Sequence, residues 1–435
     1  MTKRFGLTTF ALAVLVAPAL AQQAALSNYV ALGDSLTAGL VNGSLVETHQ
    51  RNSYPALIAR QAGLDLFAQP TVTEPGAPPE LQLVSLLPST VISPKATTAG
   101  TPNNVALPRP YNNLGIPTSN TPDYVTKLTD GGGPFDLVLR GLGTAVAQGV
   151  ALRANLYTLW IGNNDVLSAV VRGTAVDGTT LTPAATFRSA YTQIVTAVRA
   201  TGGRLIVATV PDVTAIPFAT TIPPYVINPA TRQPVLVGGN PVPLLGPSGP
   251  LPPGALVTLG ASSLLAQGVG IPTSVGGTGQ PLPGEVVLDQ NEVAVIQERV
   301  RVNNQAIRDI GSANGATLLD LNAIFTEFTG SGGRNVGGVA ITGQFLTGGL
   351  FGYDGLHLTD LGYALLANEW IAAINASGAA TLPVVDLAPF LGLATSATAG
   401  QTGFRAQAVR APAEFEFTAE AYEQVLRLFP LLDGR

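Results

Sequence analysis

The chain has 435 residues, of which 46% are hydrophobic and only 11% charged, and its formal net charge is −5. That length suits one large domain or two ordinary ones, and the apolar content excludes a disordered chain. With no run of Lys or Arg, nucleic acid and anionic membrane surfaces are not expected partners. The complete absence of cysteine excludes disulfides, a thiolate nucleophile and cysteine metal sites.

The N-terminus reads as an export signal. Lys3 and Arg4 form a short basic region, Phe10 to Leu20 is an apolar run broken by Pro18, and Ala19-Leu20-Ala21 is a small-x-small cleavage site. The run is too short to span a bilayer comfortably. Residues 1–21 are therefore expected to be removed, leaving a secreted, periplasmic or envelope-associated protein without a transmembrane span.

From residue 26 to about 210, short apolar runs alternate with helical patterns. Tyr29 to Leu32 reads as a buried strand ending at Gly33, and Ser53 to Arg60 as a short amphipathic helix closed by Gly63. Residues 70–122, rich in Pro, Thr and Asn, read as long loops. Phe135 to Gln148 predicts a helix and Leu156 to Ile161 a second strand. Thr182 is expected to cap a helix whose face carries Phe187, Tyr191, Ile194, Val195 and Val198, with Gly202 stopping it. Leu205 to Val210 reads as a third strand. The stretch from about 214 to 286, dense in Pro and Gly and almost uncharged, reads as an insertion: a surface excursion, or a lid or wall of a cleft. Asp289 and Glu292 open a helix with a capping box, and Val293, Ile296, Val300, Ile307 and Ile310 line one of its faces. Thr317 to Leu321 reads as a fourth strand. Thr359 caps a last long helix through Trp370 and Ile374. Residues 22–379 are thus expected to form one α/β domain, a three-layer sandwich with a mostly parallel central sheet. Residues 380–435 form an extension of unassigned role, containing an Ala/Thr/Gly-rich stretch and a helix from Ala419 to Phe429.

Three polar clusters sit where ligands gather in open α/β sheets, at or after strand ends. Gly33-Asp34-Ser35-Leu36 follows the first strand. A serine where a strand turns into a helix exposes its hydroxyl, and the helix start offers a backbone N–H to a developing oxyanion. Asp34 is expected to fix the turn. Gly162-Asn163-Asn164-Asp165 follows the second strand, and an asparagine amide can donate to an oxyanion without carrying charge. Tyr353-Asp354-Gly355-Leu356-His357 precedes the last helix. There the carboxylate of Asp354 can hold one ring nitrogen of His357 while the other takes the proton of a serine. Each string alone is also an ordinary capping turn. Their coincidence in a chain with only two histidines favours chemistry. The other histidine, His49, reads as a surface residue.

The ordered set resembles the GDSL, or SGNH, hydrolases. Gly33-Asp34-Ser35-Leu36 is similar to that family's first block, Gly162-Asn163-Asn164-Asp165 to its Gly-x-Asn-Asp block, and Asp354-Gly355-Leu356-His357 to its Asp-x-x-His block. Asn113-Leu114-Gly115-Ile116-Pro117 resembles the segment carrying the family's oxyanion glycine. The resemblance covers roughly residues 27 to 376. It implies a flavodoxin-like SGNH fold and ester hydrolysis without cofactor or metal. Ser35 would be the nucleophile, with His357 and Asp354 completing a triad. The Ser35 N–H, the Gly115 N–H and the Asn164 side chain would form an oxyanion hole. The expected substrate is a small-molecule or lipid ester. A carbohydrate O-acetyl ester, or a binding protein that keeps the fold without hydrolysis, are the alternatives.

Overall fold

The computed structural model describes residues 26–85, 90–330, 332–392 and 415–432. The export signal and the Ala/Thr/Gly-rich stretch lie outside these residues, apart from Leu391 and Gly392.

In chain order, the elements that position the site begin with β1 (Tyr29–Gly33), the single turn α1 (Ser35–Ala38) and α2 (Tyr54–Gln61). The hairpin β2 (Leu81–Ser85) and β3 (Thr90–Pro94) follows, then β4 (Asn113–Gly115) and the helices α3 (Thr121–Thr126), α4 (Pro134–Leu139) and α5 (Ala145–Ala151). Next come β5 (Leu156–Trp160), α6 (Asn164–Val171), α7 (Ala184–Arg199) and β6 (Arg204–Ala208). After the insertion the chain runs through α8 (Gln290–Ala313), β7 (Thr317–Leu319), α9 (Leu321–Thr329) and α10 (Asp360–Ala376), and the described residues end with β8 (Phe415–Phe417) and α11 (Ala419–Leu428).

The central sheet has the order β7-β6-β5-β1-β4, and every neighbouring pair is parallel. β1 and β5 are buried along their whole length, as expected of parallel strands covered on both faces. α7 packs with α3, α5 and α8, whereas α10 packs with α2, where Tyr54 stacks on Trp370 at 5.3 Å between ring centroids. The result is the three-layer α/β sandwich expected from the alternating pattern.

Four expectations about elements are corrected. The loop region 70–122 contains β4, the edge strand of the main sheet, and the β2–β3 hairpin. β4 is three residues long, too short for its apolar content to stand out. The helix expected from Phe135 to Gln148 is two helices, because Arg140 turns left-handed at φ +50° and ends α4. Thr182 does not cap α7; Pro183 occupies that position and supplies no side-chain bond. The fourth strand stops at Leu319, and Asp320 caps α9, whose first residue is Leu321.

The insertion is packed rather than loose. Three two-residue hairpins, Ile227–Asn228 with Gln233–Pro234, Leu236–Val237 with Asn240–Pro241, and Leu245–Gly246 with Gly249–Pro250, surround an apolar cluster that includes Val226, Leu244, Val257 and Leu282. Leu256–Val257 pairs with Val287–Leu288 and returns the chain to α8, which starts with the expected Asp289/Glu292 capping box.

Candidate active site

The first cluster forms because β1 ends in glycine and Asp34 caps the turn that follows. The Asp34 carboxylate accepts from the Leu36 N–H at 3.1 Å, as expected, and its other oxygen accepts from the Asn163 amide at 2.8 Å. This second bond ties the loop after β1 to the loop after β5. Burial pushes the Asp34 carboxyl up to about 6, with the Asn163 and Leu36 donors opposing that rise. Ser35 is the first residue of α1, so its N–H has no place in the intrahelical ladder.

The third cluster is a tight loop closed at both ends. Gly352 N–H donates to His357 O at 2.8 Å, and Thr359 caps α10 through the Gly362 N–H. Gly355 sits at φ +67°, and a Cβ there would lie 2.9 Å from Phe218 N, so no larger residue fits that turn.

This loop and the Ser35 turn meet across 322 residues of sequence. His357 Nε2 lies 2.9 Å from Ser35 Oγ, and His357 Nδ1 lies 2.7 Å from Asp354 Oδ2. Asp354 is fully buried and accepts three more bonds, from the N–H groups of Gly43 (2.7 Å), Leu356 (2.9 Å) and His357 (2.9 Å). Burial alone would raise its pKa. The adjacent imidazole and these donors outweigh burial and hold the carboxyl below the usual carboxylate range. The ionised form of Asp354 is thus the favoured one beside the His357 ring.

The expected oxyanion donors fall out differently. Asn164 begins α6, and its Nδ2 donates one bond to Ser119 O at 2.9 Å. It also lines a cavity of about 120 Å³ with Thr118 and Ser168. The Gly115 N–H donates to Asn113 Oδ1 at 2.9 Å. Glycine is needed there for another reason: a Cβ would lie 2.2 Å from Ala38 N, so β4 could not approach α1. Close packing against α1 thus accounts for the glycine at 115 whatever its N–H does.

The sequence profile of GDSL-like lipases and acylhydrolases matches residues 29–370. The chain belongs to that family. Its members hydrolyse ester bonds, and this GDSL protein is an enzyme of that class. Among solved structures it is similar to an alpha/beta hydrolase from the metagenome of Lake Arreo, Spain (13% identity, 81% of this chain and 95% of that one, TM-score 0.35). It is likewise similar to an extracellular lipase from Streptomyces rimosus (13% identity, 81% and 99%, TM-score 0.33) and to a phospholipase A1 from Streptomyces albidoflavus (15% identity, 81% and 99%, TM-score 0.31). No curated protein matches the chain.

Several residues around this GDSL protein's site have roles that no local sequence pattern announced. Gly43 and Asn42 hold the Asp354 loop, Gly43 through its N–H and Asn42 by accepting from the Tyr353 N–H at 2.7 Å. Both lie 311 residues from their partners, and no local pattern announces such a pairing. His49 is not a free surface residue. Its Nδ1 lies 2.8 Å from Asp360 and its Nε2 3.0 Å from Glu80, whose same oxygen accepts from Asn42. Partial burial opposes its charge, but the two carboxylates raise its pKa to about 9. Asp165 binds the Thr121 N–H and hydroxyl and thereby anchors α3. Among the described residues no cluster of three His, Cys, Asp or Glu side chains could hold a metal ion, and no helix is long and apolar enough to cross a membrane.

Proposed function

We propose that this protein is an exported carboxylic ester hydrolase in which Ser35, His357 and Asp354 act as a triad. The observation that carries this reading is the unbroken bond chain from Asp354 through His357 to Ser35, at 2.7 and 2.9 Å. His357 Nε2 takes the Ser35 proton as Oγ bonds to the acyl carbon. The carbonyl becomes an oxyanion beside the Ser35 N–H and the second Asn164 amide hydrogen. Collapse breaks the bond to the alcohol oxygen, which receives the proton from His357. Water, deprotonated by the same nitrogen, then frees the acid and restores Ser35. Ionised Asp354 supports the imidazolium that forms in each half-reaction. In this reading residues 22–379 are the hydrolase domain, and the 214–286 insertion is a wall over it, touching the site where Phe218 N–H donates to Gly355 O at 3.0 Å.

The low charge and the apolar insertion favour acyl esters over acetylated sugars. A chain-length series of p-nitrophenyl esters set beside acetylated xylan, with wild type and Ser35→Ala, tests the assignment. The reading expects hydrolysis of acyl esters by wild type and none by the variant. Equal rates in the two proteins would remove Ser35 from the mechanism.

A further inference from the structure

The described C-terminal segment, residues 415–432, lies beyond the stretch that matches the family, and it docks over the site. β8 pairs with β3, and Phe417, Ala421, Val425 and Leu428 are buried against the core. On α11, Gln424 donates to Pro79 O at 2.8 Å and to Gly43 O at 3.3 Å, the Gly43 whose N–H holds Asp354. Past α11 the chain crosses the candidate triad. The Phe429 ring stacks on the His357 imidazole at 6.3 Å between centroids and 20° between planes. Pro430, Leu431 and Leu432 then form one side of the 120 Å³ cavity that Asn164 lines.

The consequence is a covered nucleophile. Ser35 is 5% exposed, His357 2% and Phe429 2%. The cavity's lining includes Asn164 but neither Ser35 nor His357, and its volume falls below the roughly 300 Å³ at which ligand pockets begin. An ester carbonyl must come within about 3.5 Å of Ser35 Oγ to react. With Ser35 5% exposed and Phe429 stacked on its histidine partner, that approach calls for the tail to move.

The cover is unevenly fastened. β8 and α11 are held by strand pairing and a buried apolar face. The tail beyond α11 is held by Phe429 packing and two hydrogen bonds to its backbone, one from a side chain and one from the main chain: Arg172 Nε–H donates to Phe429 O at 2.8 Å and Leu432 N–H donates to Thr179 O at 2.8 Å. The second Arg172 bond, to Leu426 O at 3.2 Å, belongs to the end of α11. The seam between firm and weak attachment falls at Phe429, which leaves the helix at φ −130° before Pro430.

We propose that the tail Phe429–Leu432 is a gate: closed, it shields Ser35 and His357, and it swings away at the end of α11 before an acyl ester can reach the serine. This rests on the triad assigned above. The gate makes the enzyme's access to bulky esters depend on the open population, and Phe429 is the residue that sets it.

The cysteine-free chain permits a reversible lock. In the full-length double variant Thr179→Cys, Leu432→Cys, a disulfide pins the tail shut and dithiothreitol releases it. The readout is the rate at which an alkyl p-nitrophenyl phosphonate modifies Ser35, followed by peptide mass. The expected result is labelling at least about tenfold slower in the oxidised form, as when the open population falls to a tenth, with recovery on reduction. Equal, measurable rates in both forms overturn the gate and leave the triad standing. No label on Ser35 in either form overturns the triad, and the gate with it. Phe429→Ala, without any disulfide, is expected to label faster than wild type; slower labelling counts against the gate.

Discussion

The Asp354 carboxylate does more than orient a ring. Its four acceptor contacts come from three backbone N–H groups and one imidazole, so its charge is matched before any substrate arrives. Asp354→Asn would present an amide where an N–H must be accepted and would favour the wrong tautomer of His357. A fall in kcat of about 10⁴-fold is expected, measured on any hydrolysed p-nitrophenyl ester. Asn164→Ala should lower kcat by about 10²- to 10³-fold with little change in KM, because the proposed mechanism gives the oxyanion the amide hydrogen that does not bond Ser119 O. His49 predicts a pH effect on stability rather than on chemistry. Its folded pKa, about 9, lies above the ordinary 6.5, so its contribution is complete below about pH 6.5 and is lost as pH rises through 9. His49→Gln should therefore cost about 1 to 2 kcal/mol at about pH 6 and much less at about pH 10, read as urea midpoints.

Between elements, side-chain amides work as clasps. Asn304 on α8 accepts from the Val210 N–H at 2.7 Å and donates to Val210 O at 2.8 Å, fastening the helix to the chain leaving β6. Asn322 also donates to Val210 O, so Asn304→Leu would orphan mainly the buried N–H. A loss of about 1 to 3 kcal/mol is expected in equilibrium unfolding. These clasps mark the limit of what the sequence discloses. Long elements with a clear period, such as α8 with its capping box and α7 with its Phe187–Val198 face, are legible from local pattern. So are the three polar blocks, because each is a short contiguous string, at the end of β1, after β5 or just before α10. β4 is not legible, since three residues carry no period. The role of Gly115 is not legible for a related reason. A glycine demanded by close packing against α1 looks the same in sequence as one demanded by a ligand.

At the scale of the whole molecule, the site is assembled from segments that are remote in the chain: a turn near residue 35, loops near 43 and 164, a loop near 355 and a tail near 429. Long-range pairing of this kind leaves no trace in local composition, which is why the C-terminal segment read as an appendage of no assigned role. Its buried face makes it part of the core. Truncation after residue 392 should expose the surfaces that Phe417, Val425, Leu428 and Phe429 cover, each worth about 1.5 to 3 kcal/mol as an upper figure. A clearly lower thermal midpoint than full-length protein is the expected outcome. An unchanged midpoint would show that the segment does not contribute to the fold.

The central claim is that one serine, activated by one histidine, carries the chemistry. Mapping the phosphonate adduct by peptide mass in wild type and in His357→Ala tests it most directly. The account predicts a single adduct on Ser35 in wild type and its near-absence in the folded variant. An adduct on another residue, or equal modification of Ser35 without His357, would contradict it.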